Sequence, residues 1–120
     1  MKLILLVDDE VDTTSVLTLL LEHAGYQVLS ASNGLEALDI MSEHSPDLII
    51  SDCMMPLMDG PSFLKEVRGN PAYEATPFLL MSSAPDQHDL KNAKFDSFIL
   101  KPFQFEKLMA IIEPLINVKP

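Results

Sequence analysis

The sequence predicts an α/β fold: a doubly wound, five-stranded parallel sheet assembled from (βα)5 units. Three observations predict it. Short, continuously apolar runs alternate with longer amphipathic stretches, as expected for strands covered on both faces by helices. The length, 120 residues, suits one domain spanning residues 1–120 and is too small for two. Apolar residues make up 48% of the chain, enough for one sizeable core.

Leu3 to Val7 is too short for a helix and apolar throughout, so it reads as the first strand. Asp12 or Thr13 is placed to cap a helix running to about Ala24, with Val16, Leu17, Leu20 and Leu21 at helical spacing and Gly25 as the stop. Tyr26 to Ala31 reads as strand two, followed by a turn at Ser32-Asn33-Gly34. Leu35, Leu38, Ile40 and Met41 fit a second helix ending near His44. Leu48 to Ser51 reads as strand three, ending at Asp52, and a long loop follows from Cys53 to Gly60.

Pro61 suits the first position of a third helix, whose apolar face is Phe63, Leu64 and Val67, with Gly69-Asn70-Pro71 ending it. Phe78 to Met81 reads as strand four and Asp96 to Leu100 as strand five. Between them, Asp86 to about Ala93 is a weak, poorly apolar helix. Phe103 to Ile116 is the last helix, with Leu108, Ile111, Ile112 and Leu115 facing the sheet and Pro114 bending or ending it.

Composition excludes several function classes. No apolar run approaches the roughly 20 residues that span a bilayer. The start of the chain has too short an apolar stretch, and no small-residue cleavage site, to read as a signal peptide; a cytoplasmic protein is expected. The single cysteine, Cys53, forbids an internal disulfide. The formal charge of −10 argues against direct nucleic-acid binding, which needs clustered Lys and Arg. His23, His44 and His88 have no metal-ligand spacing.

In open α/β sheets, ligands bind beyond the carboxyl ends of the strands. Strand one is followed by Asp8, Asp9 and Glu10, strand three by Asp52, strand four by Ser82 and Ser83, and strand five by Lys101 and Pro102. Alone, Asp8 to Glu10 reads as acids favoured at a helix N-terminus. With Asp52 at the neighbouring strand end, the carboxylates would repel one another, and a hard divalent cation resolves the conflict. Mg²⁺ takes carboxylate oxygens and leaves room for a phosphate oxygen. A carboxylate beside it can attack phosphorus, with Lys101 and Ser82 serving the phosphoryl oxygens.

Four stretches carry a resemblance: "LLVDDE" at Leu5 to Glu10, "LIISDCMMPLMDG" at Leu48 to Gly60, "PFLLMSS" at Pro77 to Ser83 and "FILKPF" at Phe98 to Phe103. In this order and at these strand ends, they make the chain resemble the response-regulator receiver domain of two-component signalling. The resemblance implies a flavodoxin-like receiver fold with strand order 2-1-3-4-5. It implies Asp52 as phosphoacceptor and Asp8, Asp9, Asp52 and the backbone carbonyl of Met54 as Mg²⁺ ligands. Ser82 falls at the switch hydroxyl, though a one-residue shift would put Ser83 there. Lys101 falls at the phosphate-binding lysine, Lys101-Pro102 at a cis peptide, and Phe98 at the aromatic switch position.

The same resemblance implies a histidine kinase or histidine phosphotransfer protein as donor. It also implies a downstream effector protein, or a fused output domain absent from these residues. The stretch from Ser82 to Lys101 is shorter than usual in the family, so the fourth helix is expected to be shortened. Met54 and Ala84 flank the water path at the site and are both apolar, which implies slow self-dephosphorylation. Met54, Met55 and Met58 are expected to pack the loop beneath the site, and Cys53 to be a small buried residue with no redox role.

Two competing readings have distinct signatures. A pseudo-receiver, binding proteins without phosphorylation, would lack one of the acids or the lysine, and all are present. A flavodoxin-like electron carrier needs a loop rich in Ser, Thr and Gly after strand one, and three acids occupy that loop. No G-x-x-x-x-G-K-[ST] or G-x-G-x-x-G motif supports nucleotide binding.

Overall fold

The structure, a computed structural model, describes residues 1–83 and 93–117. Its elements are β1 (Leu3–Val7), α1 (Val11–His23), β2 (Gln27–Ala31), α2 (Gly34–Met41), β3 (Leu48–Asp52), α3 (Gly60–Arg68), β4 (Phe78–Ser82), β5 (Ser97–Leu100) and α4 (Phe105–Ile116). The strands form one five-stranded sheet in the order β2-β1-β3-β4-β5, and every pair is parallel. This is the predicted doubly wound sheet.

Successive residues of a strand face opposite ways, so each continuous apolar run feeds two cores. On one face Ile4, Leu6, Leu48, Ile50, Leu79 and Met81 pack against Leu17 and Leu21 of α1 and Leu108, Ile112 and Ile116 of α4. On the other, Leu5, Val7, Ile49, Phe78 and Leu80 pack against Ala37 and Met41 of α2 and Phe63, Leu64 and Val67 of α3. The rings of Phe63 and Phe78 lie 5.6 Å apart at 52° in that second core.

Helix ends depart from the expectations in instructive ways. The N-cap of α1 is Glu10, with no side-chain cap bond, not Asp12 or Thr13. Thr14 Oγ1 instead donates to the carbonyls of Asp8 and Glu10. Gly25, at φ 102°, takes the left-handed conformation that turns the chain out of α1. Asn33 caps α2 by accepting from the Glu36 amide, so the predicted turn is also the helix start. Asp59 caps α3 in the same way from Ser62, with Pro61 in the first turn.

Helix α4 begins at Phe105, later than expected, and Pro114 lies within its last turn without ending it before Ile116. Of the face predicted for α1, Leu17 and Leu21 are buried, whereas Val16 is 57% and Leu20 36% exposed. Leu35 of α2 is likewise exposed. The weak helix predicted between strands four and five, and its shortening, fall on residues 84–92, outside the described residues, and Ala93 is not helical.

At the end of the sheet away from the acids, Arg68 joins α3 to β4 and β5. Its guanidinium donates to the carbonyls of Lys94 (2.9 Å), Tyr73 (3.2 Å) and Thr76 (2.8 Å) and to Asp96 Oδ2 (2.8 Å). The same Asp96 oxygen accepts from the Phe78 amide at 2.8 Å.

Candidate functional site

The parallel register delivers the predicted residues to one edge. Asp52 ends β3 beside Met81 of β4, and Ser82 ends β4 opposite Leu100 of β5. The Lys101 amide then donates to the Ser82 carbonyl at 2.9 Å, and the Asp8 amide to Ala31 of β2 at 3.0 Å. Asp8, Asp52, Ser82 and Lys101 thus sit at the carboxyl ends of four adjacent strands, where open α/β sheets place their ligands.

Lys101 Nζ lies among three carboxylates: 3.0 Å from Asp8 Oδ2, 3.3 Å from Asp52 Oδ1 and 3.6 Å from Glu10 Oε1. The Asp8 and Asp52 side chains are almost wholly buried, whereas that of Glu10 is 63% exposed. Burial pushes the Asp52 carboxyl above its usual range; Lys101 opposes this, and Asp8 reinforces it. Burial works against the charged form of Lys101 too, but the hydrogen bond it donates to Asp8 and the charges of Asp52 and Asp8 together hold its pKa above the ordinary value. One ammonium thus offsets a surplus of negative charge.

Asp8, Glu10 and Asp52 each present an oxygen within 4.8 Å of the others, a grouping able to hold a cation. The donors are all hard oxygens, the set that suits Mg²⁺. Asp9 is exposed and is not a member of that grouping. The Asp8 side chain accepts from the Glu10 amide at 3.0 Å, a local turn that keeps these two alternate residues together. The sequence places Glu10 among the acids after strand one but gives it no ligand role; the structure groups it with Asp8 and Asp52.

The family described as the response regulator receiver domain matches residues 4–113. The chain belongs to that family. It is 36% identical over 118 residues to a probable chemotaxis protein CheY of Rhizobium etli, covering 95% of this chain and 92% of the relative. It spans only about half the length of other curated relatives, for example 51% of response regulator Rre1 of Synechocystis. Among solved structures, the signal receiver domain of a histidine kinase from Syntrophus aciditrophicus superposes with a TM-score of 0.91 at 33% identity, covering 98% of this chain and 91% of that one. The receiver domain of sensor histidine kinase PA1611 from Pseudomonas aeruginosa, with a magnesium ion coordinated in its active site cleft, gives a TM-score of 0.90 at 27% identity, each chain covered to 98%.

In this receiver domain of two-component signalling, the remaining predicted residues surround the same edge. Ser82 is buried and its hydroxyl bonds the Cys53 thiol, whereas Ser83 is exposed. Burial pushes that thiol up to about 11, with the Ser82 bond pulling the other way, so Cys53 stays protonated and behaves as a small buried residue. Phe98 is half-buried on β5 opposite Leu80, its ring 6.1 Å from that of Phe95. Lys101-Pro102 is cis.

The loop after Asp52 differs from the expectation in one respect. Met55 and Met58 pack on the core, but the Met54 side chain is 61% exposed. Two glycines allow the close packing here. A β-carbon at Gly34 would lie 2.7 Å from Met58 Cγ, and one at Gly60 would lie 2.3 Å from the Asp52 carbonyl oxygen. Among the described residues, no helix is long and apolar enough to cross a membrane.

Proposed function

We propose that this domain, residues 1–120, is the phosphoacceptor of a two-component phosphorelay, taking a phosphoryl group onto Asp52 from the phosphohistidine of a histidine kinase or histidine phosphotransfer protein. The observation that carries the reading is the Lys101 ammonium between Asp8 and Asp52 at the carboxyl edge of the sheet. A carboxylate oxygen of Asp52 attacks phosphorus and forms an acyl phosphate. The P–N bond of the donor breaks, and its electron pair stays with the imidazole, which leaves neutral when its other nitrogen carries the proton. Lys101 and Ser82 then serve the phosphoryl oxygens, one as a point charge and the other as a hydroxyl donor.

Asp8, Asp9, Asp52 and the backbone carbonyl of Met54 are assigned as the ligands of a Mg²⁺ ion, which neutralises charge on the attacking carboxylate and the transferred group. Burial of Asp8 and Asp52 and the magnesium-bound PA1611 relative support the assignment. Ser82, drawn toward the phosphoryl group, and Phe98, turning into the space it leaves, form the switch. The output passes to a downstream effector protein or a fused output domain in the cytoplasm, with no direct contact to nucleic acid or membrane. The domain turns over no metabolite; its chemistry is its own phosphorylation and dephosphorylation. With exposed, apolar Met54 offering nothing to orient water, loss of the phosphoryl group is slow.

Intact-protein mass after incubation with Mg²⁺ and acetyl phosphate tests the reading. The expected product is a Mg²⁺-dependent, base-labile adduct of one phosphoryl group, absent from Asp52→Ala. No adduct on a protein that binds Mg²⁺ would transfer the assignment to a phosphorylation-independent binding module.

A further inference from the structure

Lys101 and a divalent cation need the same oxygens. Its ammonium occupies Asp8 Oδ2 and Asp52 Oδ1, two of the three residues grouped to hold an ion. An ion entering there displaces a cation already in place, and the site then depends on where Lys101 goes.

Two observations define the available direction. Glu10 Oε1 is already 3.6 Å from Nζ, and its side chain is 63% exposed, so it can follow the ammonium outward. Lys101 and Glu10 also border a common cavity of ≈580 Å³ that includes Thr13, Val16, Ser83 and Phe103. Asp8 and Asp52, by contrast, are held in the wall of the sheet edge. Glu10 is therefore the one acid of the three able to remain paired with Lys101 while the buried two turn to an ion.

We propose that Glu10 is a positioning residue for Lys101: it retains the displaced ammonium on the cavity side of Asp52 when a divalent cation takes Asp8 and Asp52, and so raises the affinity of the site for that cation. The proposal rests on the metal reading above. It gives Glu10 a task distinct from metal ligation, because its effect passes through Lys101.

Mg²⁺ affinity measured by calorimetry in the parent, E10Q, K101M and the double variant separates the alternatives. K101M is expected to bind Mg²⁺ more tightly than the parent, since a competitor is gone. E10Q is expected to bind about three- to fivefold more weakly in the parent background, the effect of losing one exposed ion pair. In the K101M background the same substitution is expected to change affinity less than about twofold. Equal weakening in both backgrounds would overturn the proposal and make Glu10 a direct contributor to the ion, and no weakening in either would overturn it too. A parent that fails to bind Mg²⁺ would overturn the metal reading and this inference with it.

Because K101M strips a partner from buried Asp8, a second readout keeps Lys101 in place. The Lys101 ε-methylene NMR signals, followed through a Mg²⁺ titration, are expected to stay displaced from free-lysine values in the parent and to collapse to them in E10Q. Identical end points in the two proteins would overturn the proposal.

Discussion

Lys101 pairs with buried Asp8 at 3.0 Å and with buried Asp52 at 3.3 Å. The lysine thus holds two acids of different strands against each other, and stability and chemistry share one side chain. Removing it leaves two buried carboxylates facing one another. Lys101→Ala is expected to lower metal-free stability by about 3 kcal/mol, toward the lower end of what a broken buried pair costs. Urea unfolding with chelator and then with Mg²⁺ checks it; the ion should restore most of the loss. An unchanged midpoint in chelator would show that the pair contributes nothing.

The Asp52 carboxyl gives a pH dependence of defined sign. Burial raises its folded-state pKa above the unfolded 3.8. Below both values the group is protonated in both states and contributes nothing. As pH rises above 3.8, the unfolded chain releases its proton first, and folding loses stability until the folded value is passed. Asp52→Asn removes that cost. In chelator it should unfold at higher urea than the parent at pH 7, by a margin that shrinks toward zero near pH 4. A variant less stable than the parent at pH 7 would show that the Lys101 pair outweighs burial.

Arg68 ties the far end of the sheet through four donated hydrogen bonds, one of them to Asp96. Three of its acceptors are carbonyls whose geometry matches a planar fork and not a point charge. Arg68→Ala should cost about 1–3 kcal/mol by removing these four bonds, although Asp96 keeps the Phe78 amide and the Tyr73 carbonyl keeps the Thr76 amide as partners. Arg68→Lys should recover less than half of it. Full recovery by lysine, in denaturant unfolding, would reduce the network to simple charge attraction.

The strands were legible because each is a continuous apolar run, and Asp8, Asp52, Ser82 and Lys101 were legible because parallel strands of known order must bring their carboxyl ends together. Other features left no such trace. Val16 and Leu20 share the helical spacing of Leu17 and Leu21, but the sheet covers a narrower stripe than the pattern suggests, so they stay exposed. Glu10 reaches Lys101 across 91 positions. Arg68 and Asp96 belong to no motif, and only the folded register places a lone arginine beside that acid.

Gly60 offers the sharpest test of how the backbone holds Asp52. Its amide donates to the Cys53 carbonyl at 2.9 Å, closing the loop onto the end of β3. A β-carbon there would meet the Asp52 carbonyl oxygen at 2.3 Å and Cys53 Cα at 2.9 Å. Both are backbone atoms, so no side-chain rotation relieves the contact, and either the loop or Asp52 must move. Gly60→Ala should therefore lose stability by about 1–3 kcal/mol, the range for overpacking. It should also slow phosphorylation by acetyl phosphate at least tenfold, because displacement of Asp52 by even a fraction of an ångström spoils its alignment with Lys101. Gly69→Ala, at a helix end where the nearest contact is an ordinary 3.4 Å, is the control. If both variants phosphorylate at the parent rate, the close approach at Gly60 has no part in placing Asp52.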